Sequence, residues 1–154
     1  MTDELRTEHP STAAIGGHPI HPAVVPVPIG LLVAASVSDL AHVATGDRFF
    51  ARASRLLVAG GVASGVGAAL PGLLDLLTIR AARNRVGYAH AGGNAAILAL
   101  GAASLAMRAG QTDRVPSAAM GLSLVGSALL ALTGWLGGEL AFRHRIGVVP
   151  LAER

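Results

Sequence analysis

Four long stretches of this chain contain no arginine, and no other feature limits its fold as strongly. All 12 basic residues are arginine, and every one lies outside residues 22–44, 56–79, 86–107 and 115–142. Each stretch is at least 22 residues long, and about 20 apolar residues in a helix cross a hydrocarbon core of roughly 30 Å. Three of them hold a single acid, Asp39, Asp75 or Glu139, and the third in order holds none, only His90. Basic residues confined to the connections are the mark of membrane spans. Four buried helices of a water-soluble bundle would instead need polar outer faces, which these stretches lack.

Composition agrees. Hydrophobic residues make up 52% and charged residues 14% of the 154, where a soluble domain carries about a quarter as charges. Such apolar content also excludes a disordered chain. With no cysteine, disulfides, thiolate metal sites, iron–sulfur ligation and cysteine nucleophiles are excluded. A net charge of +3 with 3% aromatic residues gives no basis for a nucleic-acid partner. The lipid bilayer is the expected partner.

The expected fold class is all-α, an integral membrane up-down-up-down four-helix bundle, because short connections make consecutive spans antiparallel. The membrane domain covers 18–148, with a polar flexible tail over 1–17 and a short C-terminal tail over 149–154. Asp3, Glu4 and Glu8 against Arg6 do not make the basic start of a signal peptide, so the tail is expected to stay uncleaved. Gly46-Asp47 and Gly110 mark turns, and Pro116 suits a first helical turn. Pro26 and Pro28 predict an irregular start to the first span, and Pro71 a kink in the second. Gly61 and Gly65, Ala68 and Gly72, and Gly134 and Gly138 are four apart, which suits close packing of helices in lipid. Arginine placement leans toward both termini in the cytoplasm, by 7 against 5.

In an up-down bundle, odd spans start and even spans end on one membrane face. His18, His21, His90 and His144 therefore gather there with Asp75, Glu139, Tyr88, Asn94 and Trp135. Asp75, His90 and Glu139 lie four or five residues inside the nearest arginine, roughly 6–8 Å deep. Ionisable groups at that depth are functional candidates with a partner to be named. The plain readings stand beside this one. Glu139 and Arg143, four apart, suit a helix-end ion pair, and Asp75 suits hydrogen bonds from Asn94 or His90 that only staple helices together. Asp39 and His42, three apart toward the opposite face, read as a local pair. The sharpest motif is His18-Pro19-Ile20-His21-Pro22, whose prolines predict extended geometry at both histidines, ahead of any helix.

The segments GHPIHPAVVPVPIGLLVAASVSDL, Pro71-Gly72-x-x-Asp75, HAGGN (90–94) and GWLGGELAFRHRIGV (134–148) resemble, in order and over about residues 16–149, a bacterial family of predicted four-span membrane proteins of unknown function. Its mark is the N-terminal His-Pro-x-His-Pro motif. Fusion of some relatives to Rieske iron–sulfur domains implies a place near electron transfer, with a Rieske-type or other electron-transfer protein as partner. The resemblance also implies a likeness to small b-type cytochromes. Here Glu139 stands where some relatives have histidine.

Two site readings follow. In one, haem b is held by His18, His21, His90 and Asn94, with His21 and His90 facing each other from diagonal spans and Gly92, Gly93, Gly137 and Gly138 making room. In the other, His18, His21, His90, Glu139 and Asp75 form a mixed nitrogen and oxygen set for a divalent metal. The expected function is a small redox-associated membrane subunit of the bacterial inner membrane. The alternative is a non-enzymatic scaffold whose polar residues only tie helices together, with a homo-oligomer left open. No nucleophile, base and orienting group stand together, so no catalytic residues are assigned.

Overall fold

The computed structural model describes residues 8–148. The tail residues 1–7 and 149–154, with Arg6 and Arg154, lie outside the described residues. Two short strands, β1 (Ala14–Ile15) and β2 (His18–Pro19), form an antiparallel hairpin turned by Gly16 and Gly17. The helices α1 (Ile20–Val24), α2 (Pro26–Thr45), α3 (Arg48–Thr78), α4 (Arg85–Met107) and α5 (Ser117–Gly138) follow. One helical turn with π spacing, Glu139–Arg143, extends α5, and the His144 amide donates five residues back to Glu139.

Residues around Val25 break the first span into α1 and α2, because Pro26 and Pro28 have no N–H to continue the ladder. Pro22 lies inside α1, in a first turn whose amides need no intrahelical partner. This corrects the expected extended geometry at His21. His18 is in β2, but His21 belongs to a helix. The second span starts eight residues before its arginine-free stretch, where Asp47 caps α3 by accepting from the Phe49 amide at 2.8 Å. Gly46, with φ of 70°, ends α2 in the left-handed conformation. Asn84 caps α4 through the Val86 and Gly87 amides.

The long helices pack in a ring, α2 on α3, α3 on α4, α4 on α5 and α5 on α2, so the first and third spans are diagonal. All four are long and apolar enough to cross a bilayer. Only about a fifth of each apolar stretch is buried inside the molecule, 17–22%. Val33, Val37, Leu40, Val66, Leu70, Leu77, Val125 and Leu132 face outward, while Asp39, Ser54, Ser104 and Arg108 are buried. Apolar side chains outside and polar ones within is the arrangement a lipid solvent selects. The protein is an all-α membrane bundle.

Candidate functional site

Each end of the bundle is closed by a polar pair that crosses its diagonal. At the face holding the hairpin, His21 of α1 and His90 of α4 have ring centroids 6.2 Å apart with planes at 90°. His21 Nδ1 donates to the Ala68 carbonyl of α3 at 2.8 Å, and His90 Nδ1 donates to the Thr133 carbonyl of α5 at 2.9 Å. A carbonyl only accepts, so each Nδ1 carries a proton, and in the neutral form of either ring the lone pair is on Nε2. Asn94, one turn beyond His90, places its amide nitrogen 2.8 Å from the His90 carbonyl and 3.2 Å from Nε2.

Local sequence builds both sockets. Pro71 cannot donate to the carbonyl four residues earlier, and His21 docks on the neighbouring carbonyl, Ala68. A Cβ on Gly72 would lie 2.8 Å from His21 Nδ1, so only glycine admits the ring there. Across the bundle, a Cβ on Gly137 would stand 3.1 Å from His90 Cε1. Gly93 in turn receives the Thr133 methyl, 2.5 Å from where its Cβ would be. Gly137 and Gly93 thus accommodate a histidine ring and a methyl group. Gly92 faces open space, and Gly138 lies by Phe142.

The remaining candidates are placed elsewhere. His18 is exposed, with Nδ1 3.0 Å from the Gly16 carbonyl. Asp75 is bound neither by Asn94 nor by His90. Its carboxylate accepts from the Ser11 hydroxyl at 2.7 and 2.9 Å, from the Thr12 amide at 2.9 Å and from the Ala13 amide at 3.2 Å. Residues 8–17, expected as a tail, thereby cross the mouth of the bundle, and the His9 amide also donates to the Arg145 carbonyl at 3.0 Å. Glu139 takes the Arg143 ion pair. His18, Glu139 and Asp75 therefore do not join His21 and His90. Among the described residues, no group of three or more His, Cys, Asp or Glu could hold a metal ion.

At the opposite face, Asp39 does not pair with His42, whose Nδ1 lies 3.0 Å from the Asp47 carbonyl. Asp39 is 0% exposed and binds Arg108, 1% exposed, through two parallel bonds of 2.8 and 2.6 Å. Ser54 of α3 donates to Asp39 and accepts from Arg108. Ser104 accepts from Arg108 Nε at 3.2 Å, and Ser123 of α5 accepts from Nη2 at 3.0 Å. All four spans meet in this network. Reading Arg108 as a boundary residue missed it. A signal was present: an acid inside the first span, an arginine one turn after Ser104, and Ser54 and Ser123 toward the same face. A cavity of about 10 Å³, lined by Ser123 and Ser127 with apolar side chains, adjoins this network and has room for about one water.

No curated protein and no solved structure matches this chain. A family model described as a predicted membrane protein matches residues 17–150, in agreement with four helices long and apolar enough to cross a bilayer. The chain belongs to the family described as predicted membrane protein (DUF2231).

Proposed function

We propose that His21 and His90 would hold a haem b, and that the protein is a small electron-transfer subunit of the bacterial inner membrane. The observation that carries this reading is the apposition of the two rings with both Nδ1 protons given to backbone carbonyls. A ligating imidazole is commonly oriented through its other nitrogen in this way. Two imidazoles bonded at about 2 Å to opposite sides of one metal ion have centroids roughly 6 Å apart, and the observed separation is 6.2 Å. Donor count favours haem over a bare ion. A tetrahedral ion needs four ligands, and Asp75 and Glu139 are already occupied by Ser11–Ala13 and Arg143. The glycines give less support, since Gly137 serves the His90 ring itself.

When bound, the haem supplies one-electron chemistry. Ala68 and Thr133 hold the two ligand rings, and Asn94 masks the His90 lone pair until a ligand displaces it. A Rieske-type or other electron-transfer protein is the expected partner. Cytoplasmic termini fit this placement: Arg108 is buried, leaving Arg48, Arg52, Arg55 and Arg114 on the other face.

The test is the visible spectrum of purified protein after haem supplementation. A Soret band and a reduced α-band are expected, absent in His21→Ala and His90→Ala and kept in His18→Ala. A wild-type protein without a Soret band overturns the reading. The second reading is a scaffold, and a specific observation favours it: among the described residues no buried side-chain nitrogen or oxygen lacks a partner. It expects both histidine variants to change stability alone.

A further inference from the structure

The outer seam between α3 and α4 holds a cavity of about 730 Å³ that neither histidine touches. These two helices pack less closely than α2 with α3 or α4 with α5. Arg52 and Arg55 stand at the head of the cavity, and Ala59 and Val62 of α3 face Ala102 and Ala106 of α4 along it. The lining residues recur at spacings of three and four on both helices, so the groove runs with the helix axes. From Arg52 to Val62 it covers eleven residues, a rise of about 15 Å, which is half the thickness of a bilayer core. Below its arginine head the apolar part on α3, Leu56 to Val62, is about 9 Å long, within the depth of one leaflet.

The charges at the head are unequal. Asp113 accepts from Arg52 at 2.9 and 2.7 Å and from Arg48 at 3.4 Å. Among the described residues, Arg55 has no carboxylate within 4.0 Å. Arg108, the other nearby cation, is turned inward onto Asp39. A half-buried guanidinium without a counter-ion at the head of an apolar groove along the helices fits an anion that carries a hydrocarbon chain.

We infer that this groove binds an anionic phospholipid, with the phosphate on Arg55 and the free edge of Arg52 and one acyl chain along Ala59, Val62, Ala102 and Ala106. Small side chains on both walls leave the chain its width. Two arginines set the preference for a net negative headgroup.

Native mass spectrometry of the detergent-solubilised protein tests this, with phosphatidylglycerol and phosphatidylcholine of identical chains as probes. Phosphatidylglycerol is expected to be retained about tenfold better at equal mole fraction. Arg55→Gln, which leaves the Arg52–Asp113 pair intact, should remove most of that preference. Arg114→Gln, on the same face but outside the groove, should keep it. Ala106→Leu, at an exposed position, should lower retention of both lipids. Equal retention of the two lipids by the wild type overturns the inference. So does an unchanged preference in Arg55→Gln, or full competition by glycerol 3-phosphate, which has the phosphate without the chain.

Discussion

Asp39 and Arg108 show what a single residue does inside this bundle. Each is a charge removed from water, tolerable only because the other is there with three serines around it. Replacing one partner leaves the other uncompensated. Asp39→Leu or Arg108→Leu is expected to lower stability by about 3–5 kcal/mol, and the double variant by less than either. Unfolding in mixed SDS micelles measures this, and a double variant worse than both singles would contradict it. Gly72→Ala drives a methyl onto a docked ring, at 2.8 Å from His21 Nδ1, and should cost on the order of 1–3 kcal/mol. Gly121→Ala, with nothing within 4 Å of its Cβ position, should be neutral or stabilising by up to about 1 kcal/mol. Equal effects in the same unfolding assay would contradict the socket. His90 stood out in the sequence because polar residues are rare in its span, and His21 because of the histidine–proline motif at the start of the first. Their carbonyl partners did not, because every residue has a carbonyl. Arg108 was misread because its place at a span boundary does not say whether its side chain turns outward or inward.

At the scale of elements, the N-terminal segment is the clearest departure from what charge patterning predicts. Its polarity suggested a tail, yet Ser11, Thr12 and Ala13 give their donors to Asp75. Hydrogen bonds to an ionised acceptor contribute about 1.5–3 kcal/mol each. Asp75→Ala is therefore expected to speed amide exchange at residues 12 and 13 by an order of magnitude or more, while Val58 stays protected. Unchanged exchange there would contradict the strap. The turn face carries a pH-sensitive tie. The Arg52 hydrogen bond, with Arg48 adding its charge, holds the Asp113 carboxyl below the usual carboxylate range. A depressed value means that the tie is fully present above the ordinary carboxylate pKa. It is lost only as pH falls through the lower, folded value. The carboxyl carbon resonance of Asp113 should titrate below its ordinary range in wild type and return to it in Arg52→Gln. Helix bounds were less legible than spans, since an arginine-free stretch reports depth in lipid rather than where hydrogen bonding starts. Asp47 starts α3 well outside the core.

The whole molecule was the most legible level, because the bilayer as solvent acts on every residue of a span at once. Arginine-free stretches, short turns and alternating direction were enough to place His21, His90 and Asp75 at one face and Asp39 at the other. What they left out, the Asp39–Arg108 pairing across the diagonal, depends on a side chain turning inward from the end of span three. The chain has no cysteine, so single cysteines report topology without background. Val33, Val66 and Val125 are outward-facing positions within three of the spans. The decisive measurement is labelling of single-cysteine variants in sealed membrane vesicles with a membrane-impermeant maleimide. Cysteines at these three positions should stay unlabelled until detergent is added. Those at Asp47 and Gly110 should react from one side, and those at His18 and Arg83 from the other. Ready labelling within the spans, or Asp47 and Gly110 reacting from opposite sides, would contradict the bundle on which every other conclusion rests.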